Sequence, residues 1–196
     1  FTKYKHQLYR KREILIRADD DPPGIFYLKE GIVKEYAISK KGDELVVNMF
    51  KPIAFFPMSW AVNNTPNKYF FEAMTDLNLW RAPKEETVEF IKTNPDVLYD
   101  LLSRVYKGTD GMITRMTYLM FGNAYARLIA ELIIHAKRFG TTGRISEKDL
   151  AASSGITRET VSREMKILKD KGFITFNKNI LVIKDLKMLE GELLNL

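Results

Sequence analysis

Residues 145–174 constrain the fold more than any other part of this chain, because they predict two short helices joined by a tight turn. The first helix spans residues 147–153, Gly155 supplies the turn, and Thr157 is a favoured residue type for the N-cap of the second helix. The second helix places three apolar residues at the i, i+4, i+7 spacing of a face that packs on a core, namely Val161, Met165 and Leu168. The segment therefore predicts a helix-turn-helix.

The other face of the second helix has side chains suited to reading DNA. Arginine pairs with guanine through two hydrogen bonds, glutamate accepts from the amino group of cytosine, and serine and threonine bond to phosphates or base edges. In a helix-turn-helix, the N-terminal residues of the second helix enter the major groove. DNA contacts are therefore predicted for Thr157, Arg158, Glu159, Ser162, Arg163 and Lys166. The alternative is a solvated surface helix, but the turn glycine, the preceding helix and a following hairpin favour DNA binding.

A β-hairpin is predicted directly after the second helix. Gly172 ends that helix, residues 173–176 and 180–183 are rich in strand-forming types, and residues 177–179 form the turn between them. The helices and the hairpin together predict a winged helix-turn-helix. Lys178, at the tip of the wing, is a candidate phosphate contact, and a purely solubilising role is the alternative.

Positive charge is denser in this part of the chain. The 196 residues have a net charge of +6. Residues 122–196 hold 13 Lys and Arg against 9 Asp and Glu, whereas residues 1–121 hold 18 against 16. A local positive excess fits a domain that neutralises DNA phosphates.

Composition argues against several other classes of protein. The chain has no cysteine and only two histidines, His6 and His135, so we expect no metal, no cofactor and no catalytic activity. It shows no glycine-rich phosphate loop, no apolar run of membrane-spanning length and no signal peptide. A cytoplasmic protein without a membrane partner is therefore expected. The chain starts at Phe1 rather than at Met, which raises the expectation that some native N-terminal residues are missing.

The N-terminal part alternates short strand-like runs with turns. Turn sequences such as residues 19–24 and 40–44 separate runs over residues 14–16, 25–28, 32–38, 45–50, 69–74 and 77–80. Regular turn spacing of this kind predicts an antiparallel β-barrel or sandwich, which we place at residues 1–93. A short helix is predicted over residues 84–91, after Pro83.

A long helix is predicted over residues 94–121, with Asn94 as its cap and Pro95 at its first position. It ends at a break over residues 121–123, and a helix over residues 124–139 opens a DNA-binding domain of residues 122–196. Seven positions of the long helix alternate steps of four and three, the spacing of a coiled-coil seam: Leu98, Leu102, Val105, Thr109, Met112, Met116 and Leu119. A homodimer is favoured because helix-turn-helix proteins usually bind two-fold sites. The alternative is a helix that lies on its own barrel.

This order of parts resembles the CRP/FNR family of transcription regulators over nearly the whole chain. The segments that carry the resemblance are residues 24–31, 94–96 and, most specifically, 157–163. The resemblance implies an α+β fold with an N-terminal antiparallel β-barrel (a jelly roll of the cyclic nucleotide-binding type), a long dimerisation helix and a C-terminal winged helix-turn-helix. It also implies base-reading roles for Arg158, Glu159, Ser162 and Arg163, and an inverted-repeat operator with a TGA-containing core in each half.

The sequence departs from the family members that bind cyclic AMP. Those members hold the nucleotide with a Gly-Glu pair and an Arg-Ser pair, where this chain has Phe56-Pro57 and Asn67-Lys68. Met112 and Ile113 replace the small hydroxyl residues that meet the adenine. Control by cyclic AMP is therefore not expected. An effector of unknown identity would bind near Phe56, Met58, Asn67 and Lys68, and the alternative is that the apolar residues of this region only fill the core.

We therefore expect a homodimeric, sequence-specific transcription regulator. Its expected partners are double-stranded DNA, a second copy of the chain and an unidentified small-molecule effector, with RNA polymerase as a further candidate. Two other functions stay open from the residues. One is a barrel-based ligand-binding or scaffold protein whose helix-turn-helix contacts protein. The other is a cupin-like enzyme, against which the scarcity of histidine argues.

Overall fold

The structure is a computed structural model that describes residues 3–195. The chain divides into two compact units, the first ending at Leu102 and the second beginning at Ser103. Both helices and antiparallel strands are present, as the sequence predicts.

The first unit contains two antiparallel sheets of four strands each, and all of its strands are short. In chain order its elements are β1 (Lys5–Tyr9), β2 (Ile14–Ile16), β3 (Ile25–Glu30), β4 (Val33–Ile38), β5 (Glu44–Phe50), β6 (Ala54–Phe56), α1 (Met58–Asn63), β7 (Phe70–Ala73), β8 (Leu77–Ala82), α2 (Lys84–Thr93) and the start of α3 (Pro95–Phe121). One sheet has the order β1-β8-β3-β6 and the other β2-β7-β4-β5. Among the described residues no strand pairing joins the two sheets, so the predicted barrel is an open sandwich.

The core of the first unit is dominated by aromatic rings. Phe56 stacks on Phe71 with ring centroids 5.4 Å apart, and Phe50 and Phe26 stack on Phe56 at 5.0 and 5.5 Å. Phe26, Phe56 and Phe71 are almost fully buried. The six strand-like runs of the sequence correspond to β2, β3, β4, β5, β7 and β8, which are confirmed, whereas β1, β6 and α1 were not predicted.

The second unit contains the rest of α3 and a small domain of four helices and three strands. These elements are α4 (Ala124–Phe139), β9 (Thr142–Arg144), α5 (Glu147–Ser154), α6 (Arg158–Asp170), β10 (Ile174–Asn177), β11 (Ile180–Ile183) and α7 (Leu186–Leu194). The predicted break is confirmed, because α3 ends at Phe121 and the Asn123 side chain caps α4 by accepting from the Ala126 amide at 2.9 Å. The helix α4 is the centre of the core, which also includes Leu150, Val161, Ile174 and Leu189.

The wing is a three-stranded sheet in the order β10-β11-β9 rather than a simple hairpin. Its turn has two residues, not the predicted three, because Asn177 pairs with Ile180 in the strand ladder. Lys178 and Asn179 have φ values of +48° and +64°, the left-handed conformation that a tight two-residue hairpin turn requires. No helix among residues 3–195 is long and apolar enough to cross a membrane.

Candidate nucleic-acid interface

The turn between α5 and α6 fixes where the second helix begins. Ser146 caps α5, and Gly155 ends it with φ +65° and an amide that donates to the Ala151 carbonyl at 3.0 Å. Two residues later Thr157 caps α6, its hydroxyl accepting from the Thr160 amide at 3.2 Å. The predicted helix-turn-helix is therefore confirmed together with its turn and its cap.

The helix α6 is held by its apolar face and by its C-terminus. Val161, Met165 and Leu168 are buried in the core of the unit, as the spacing predicts. At the end of the helix, Gly172 has φ +79°, its amide donates to the Lys169 carbonyl, and the Phe173 amide donates to the Leu168 carbonyl. This pattern is a Schellman motif, and it turns the chain directly into the wing.

The opposite face of α6 is exposed along its first three turns. The six predicted side chains, Thr157, Arg158, Glu159, Ser162, Arg163 and Lys166, all lie exposed on this face. The side chains of Arg158 and Arg163 are 70% and 65% accessible. Hydrogen bonds from its own backbone amide and from Thr157 lower the pKa of Glu159, so this side chain is an ionised acceptor at neutral pH. The structure thus brings donors and an acceptor to one accessible surface.

Glu164 contacts this surface through Arg163 and was not predicted as a site residue. Its residue is buried, yet its Oε1 accepts from Arg163 Nε at 3.1 Å and lies 3.0 Å from Arg163 Nη2. The contact gives the exposed Arg163 guanidinium a carboxylate partner on its own helix. The only sequence signal for it is a carboxylate at a position that the helical pattern assigns to the buried face.

Lys178 lies at the tip of the wing, where its side chain is exposed. A lysine at this tip is free to approach a phosphate next to the groove that α6 would enter.

The seam positions of α3 are all exposed. No residue of this helix is buried, and the six apolar seam side chains are between 40% and 62% accessible: Leu98, Leu102, Val105, Met112, Met116 and Leu119. Thr109, the seventh, donates its hydroxyl to the Val105 carbonyl at 3.0 Å. The same flank of the helix also exposes Tyr99, Tyr106, Ile113 and Met120. A stripe of this length on one helix is a strong signal of a protein interface.

The four residues predicted for an effector pocket have separate environments. Phe56 lies in the aromatic core, and Met58 is the first residue of α1. Asn67 is buried, and its amide nitrogen donates to the Arg17 and Tyr69 carbonyls at 2.7 and 2.9 Å. Lys68 is exposed and pairs with Asp19 at 2.9 Å. Both polar residues thus already have partners within the chain.

Within residues 3–195 no group of three or more His, Cys, Asp or Glu side chains is arranged to hold a metal ion. His135 is buried in α4, where burial lowers its pKa and keeps the ring neutral at pH 7.

Comparison with known proteins gives the same division of the chain. The family model for the cyclic nucleotide-binding domain matches residues 6–94, and the model for the Crp-like helix-turn-helix domain matches residues 126–192. The global nitrogen regulator of Nostoc is 24% identical over 191 residues, which are 90% of this chain and 84% of that protein. The transcriptional regulator SdrP of Thermus thermophilus is 26% identical over 161 residues, covering 82% of this chain and 79% of that protein.

Solved structures show the same fold. FixK2 from Bradyrhizobium japonicum superposes with a TM-score of 0.78 at 20% identity and covers 96% of each chain. The two family models, the homologous regulators and this superposition agree over nearly the full length. The chain therefore belongs to the CRP/FNR family of transcription regulators, with a cyclic nucleotide-binding-type domain followed by a Crp-like helix-turn-helix DNA-binding domain.

Proposed function

We propose that this protein is a homodimeric regulator that binds an inverted-repeat operator through α6 of each copy and does not respond to cyclic AMP. In this proposal residues 1–93 are the sensor domain, residues 94–121 the dimerisation helix and residues 122–196 the DNA-binding domain. The accessible face of α6 is the observation that supports it most directly, because six groove-reading side chains lie on one side and the opposite side is locked in the core.

The chemistry of this face assigns a role to each residue. Arg158 and Arg163 supply fork-shaped donors for guanine, and the ionised Glu159 supplies an acceptor for cytosine. Thr157 and Ser162 suit phosphate or base-edge contacts, and Lys166 and Lys178 suit phosphates.

A dimer is supported by the exposed α3 seam. Apolar side chains at steps of four and three form a stripe, and a second helix that covers this stripe removes it from water and is stabilised by that burial. Two copies joined along this seam are related by a two-fold axis, so they present two α6 helices to the two halves of a palindromic site.

The absence of a nucleotide clamp supports independence from cyclic AMP. Phe56 packs in the core, Asn67 bonds to backbone carbonyls, and Lys68 pairs with Asp19. A lysine offers one point charge where a guanidinium fork would grip a phosphate. The effector, and RNA polymerase as a partner of the bound dimer, belong to the same proposal.

Binding titrations on the full chain test the proposal. Fluorescence anisotropy with a duplex containing a TGA-core inverted repeat is expected to give much tighter binding than a scrambled duplex of equal length. Each phosphate contact steepens the salt dependence by about 0.9 in the slope of log K against log [salt]. Equal affinity for both duplexes would contradict sequence-specific reading. If that affinity also fell with rising salt concentration, the binding would be non-specific attraction to phosphates.

A further inference from the structure

The connection between α3 and α4 is tighter than a linker between two domains needs to be. Gly122 forms the turn, and its amide donates to the Tyr118 carbonyl at 2.9 Å. A Cβ added at Gly122 would lie 2.8 Å from that carbonyl oxygen and 3.2 Å from the Ala126 Cβ. The turn therefore requires glycine, because the backbone approaches so closely that a side chain would clash.

A buried ion pair ties the two helices together beside this turn. Arg115 on α3 donates to Glu131 on α4 with both edges of its guanidinium, Nε to Oε2 at 2.7 Å and Nη2 to Oε1 at 2.9 Å. The side chains are 19% and 5% accessible. Burial lowers the pKa of Arg115, but the hydrogen bonds and charge of Glu131 outweigh burial and raise it overall. A bidentate pair in this setting fixes orientation as well as distance.

Arg127 adds a second tie. It lies on α4, and its Nε and Nη2 donate to the Gly122 and Leu119 carbonyls at 3.1 and 2.9 Å. These carbonyls belong to the C-terminal end of α3, where helix carbonyls lack partners within the helix. A cation at this end is also favoured by the helix dipole.

The last seam residue reaches the helix-turn-helix directly. A Cβ added at Gly155 would lie 3.1 Å from the Leu119 Cδ2, so the end of the seam packs against the turn before α6. Ser153 and Ser154 of α5 line the same small cavity of about 10 Å³ as Arg115 and Glu131. The end of α3 thus contacts α4 and also α5, the first helix of the helix-turn-helix.

We propose that these residues, Arg115, Leu119, Gly122, Arg127 and Glu131, form a rigid joint that sets the spacing between the half-sites that the dimer accepts. Arg127 and Glu131 are positioning residues in this joint, since their side chains bond to α3. The inference rests on the proposed dimeric, inverted-repeat function. It adds that DNA selectivity includes a distance fixed by the joint, in addition to the bases read by α6.

Spacing is a sensitive readout because DNA is helical. Inserting one base pair between two half-sites rotates one against the other by about 35° and moves it by about 3.4 Å. A rigid dimer cannot follow this change without losing contacts at one half-site. A dimer with a loosened joint can follow it, and therefore binds altered spacings with less penalty.

The test uses the full chain and a set of duplexes that share one half-site sequence and differ only in the spacer, by one base pair fewer, one more or two more than the optimum. Wild-type protein is expected to prefer one spacing by at least about tenfold, the penalty of one lost base contact. Glu131→Gln and Arg127→Ala are expected to reduce this preference to about threefold or less, while base preferences within each half-site stay unchanged. Lys137→Gln, which breaks the exposed ion pair between Lys137 on α4 and Glu190 on α7, is the matched control and should keep the wild-type preference.

The outcomes separate this inference from the function beneath it. If wild-type protein binds no inverted repeat at any spacing, the proposed function fails. If wild-type protein selects one spacing and both variants select it equally, the joint is overturned and the function stands. Arg127→Ala leaves no buried charge without a partner, so it decides the question even if Glu131→Gln fails to fold.

Discussion

Glu35 provides the sharpest test of how the first unit is built. It lies in β4, where its cross-strand partners are Asn48 on β5 and Phe71 on β7. Phe71 is buried in the aromatic core, so Glu35 lies on the face of the sheet that covers this core. The neighbouring Lys34 is on the other face, where it pairs with Glu44 and Glu72 at 3.1 and 3.4 Å.

This environment raises the pKa of Glu35. Burial is the main cause, a hydrogen bond with Asn48 opposes it, and the result is a shift from 4.5 to about 7. A carboxyl whose pKa is higher in the folded state binds more protons folded than unfolded between those two values. Stability contributed by the neutral form is therefore present below pH 4.5 and is lost as pH rises through about 7.

The size of this effect follows from the shift. At 1.36 kcal/mol per pKa unit, the change corresponds to about 3 kcal/mol of unfolding free energy between acidic and mildly alkaline pH. Glu35→Gln keeps the shape and the hydrogen bond but does not titrate. At pH 8 the variant is expected to be more stable than wild type by about 3 kcal/mol, which corresponds to about 12–24 °C in Tm for a unit of this size. At pH 4.5 the two should be nearly equal.

The chain offers a specific probe for the measurement. Its two tryptophans, Trp60 and Trp80, both belong to the first unit, so urea unfolding followed by tryptophan fluorescence reports on that unit alone. Glu89→Gln, an exposed carboxylate on α2, is the control and should not change the pH dependence. The placement of Glu35 would be refuted if the difference between wild type and Glu35→Gln were the same at pH 5 and pH 8.

Three further substitutions or ligands test other parts of the account. Leu102→Asp places an unpaired charge in the α3 seam and should give monomers in analytical ultracentrifugation. Lys107→Asp, on the opposite side of the same helix, is the control and should leave the dimer intact. A dimeric Leu102→Asp protein would show that the seam is not the interface. Millimolar cyclic AMP should leave the melting temperature and the DNA affinity unchanged. A ligand that binds only the folded state raises the melting temperature by mass action, so a clear thermal shift would contradict this expectation. Glu164→Gln removes the carboxyl oxygen that accepts from Arg163 and should weaken preference for one guanine by about three- to tenfold. An equal loss at every base position would indicate a general defect of α6.

Sequence reasoning identified the DNA-binding domain well because its elements have strong local signals. Gly155, Thr157 and Gly172 each mark a helix end, and the spacing of Val161, Met165 and Leu168 gives the buried face. The exposed seam of α3 was equally visible, since its period extends over three heptads.

Other features depend on contacts that the sequence does not display. The strand β9 has the sequence Thr-Gly-Arg, which has no run of strand formers and pairs only because β11 lies beside it. The first strand, β1, is short and begins with three consecutive polar residues, so it has no alternating apolar pattern. The turn spacing did not distinguish a closed barrel from a sandwich. Among the described residues no strand pairing joins the two sheets. Arg115 and Glu131 are 16 residues apart on different helices, so only the fold brings them together.

The most direct test of the central claim is selection of bound sequences from random duplexes by the wild-type protein and by Arg163→Ala, with Lys178→Ala as the control. Wild-type protein is expected to enrich a palindrome whose half-sites lie about 10 base pairs apart. Arg163→Ala should lose preference at one guanine in each half, at a cost of about 1–3 kcal/mol, while Lys178→Ala should weaken all sequences slightly and keep the consensus. Enrichment of no palindrome, or an unchanged consensus with Arg163→Ala, would contradict the assignment of α6 as the helix that reads DNA.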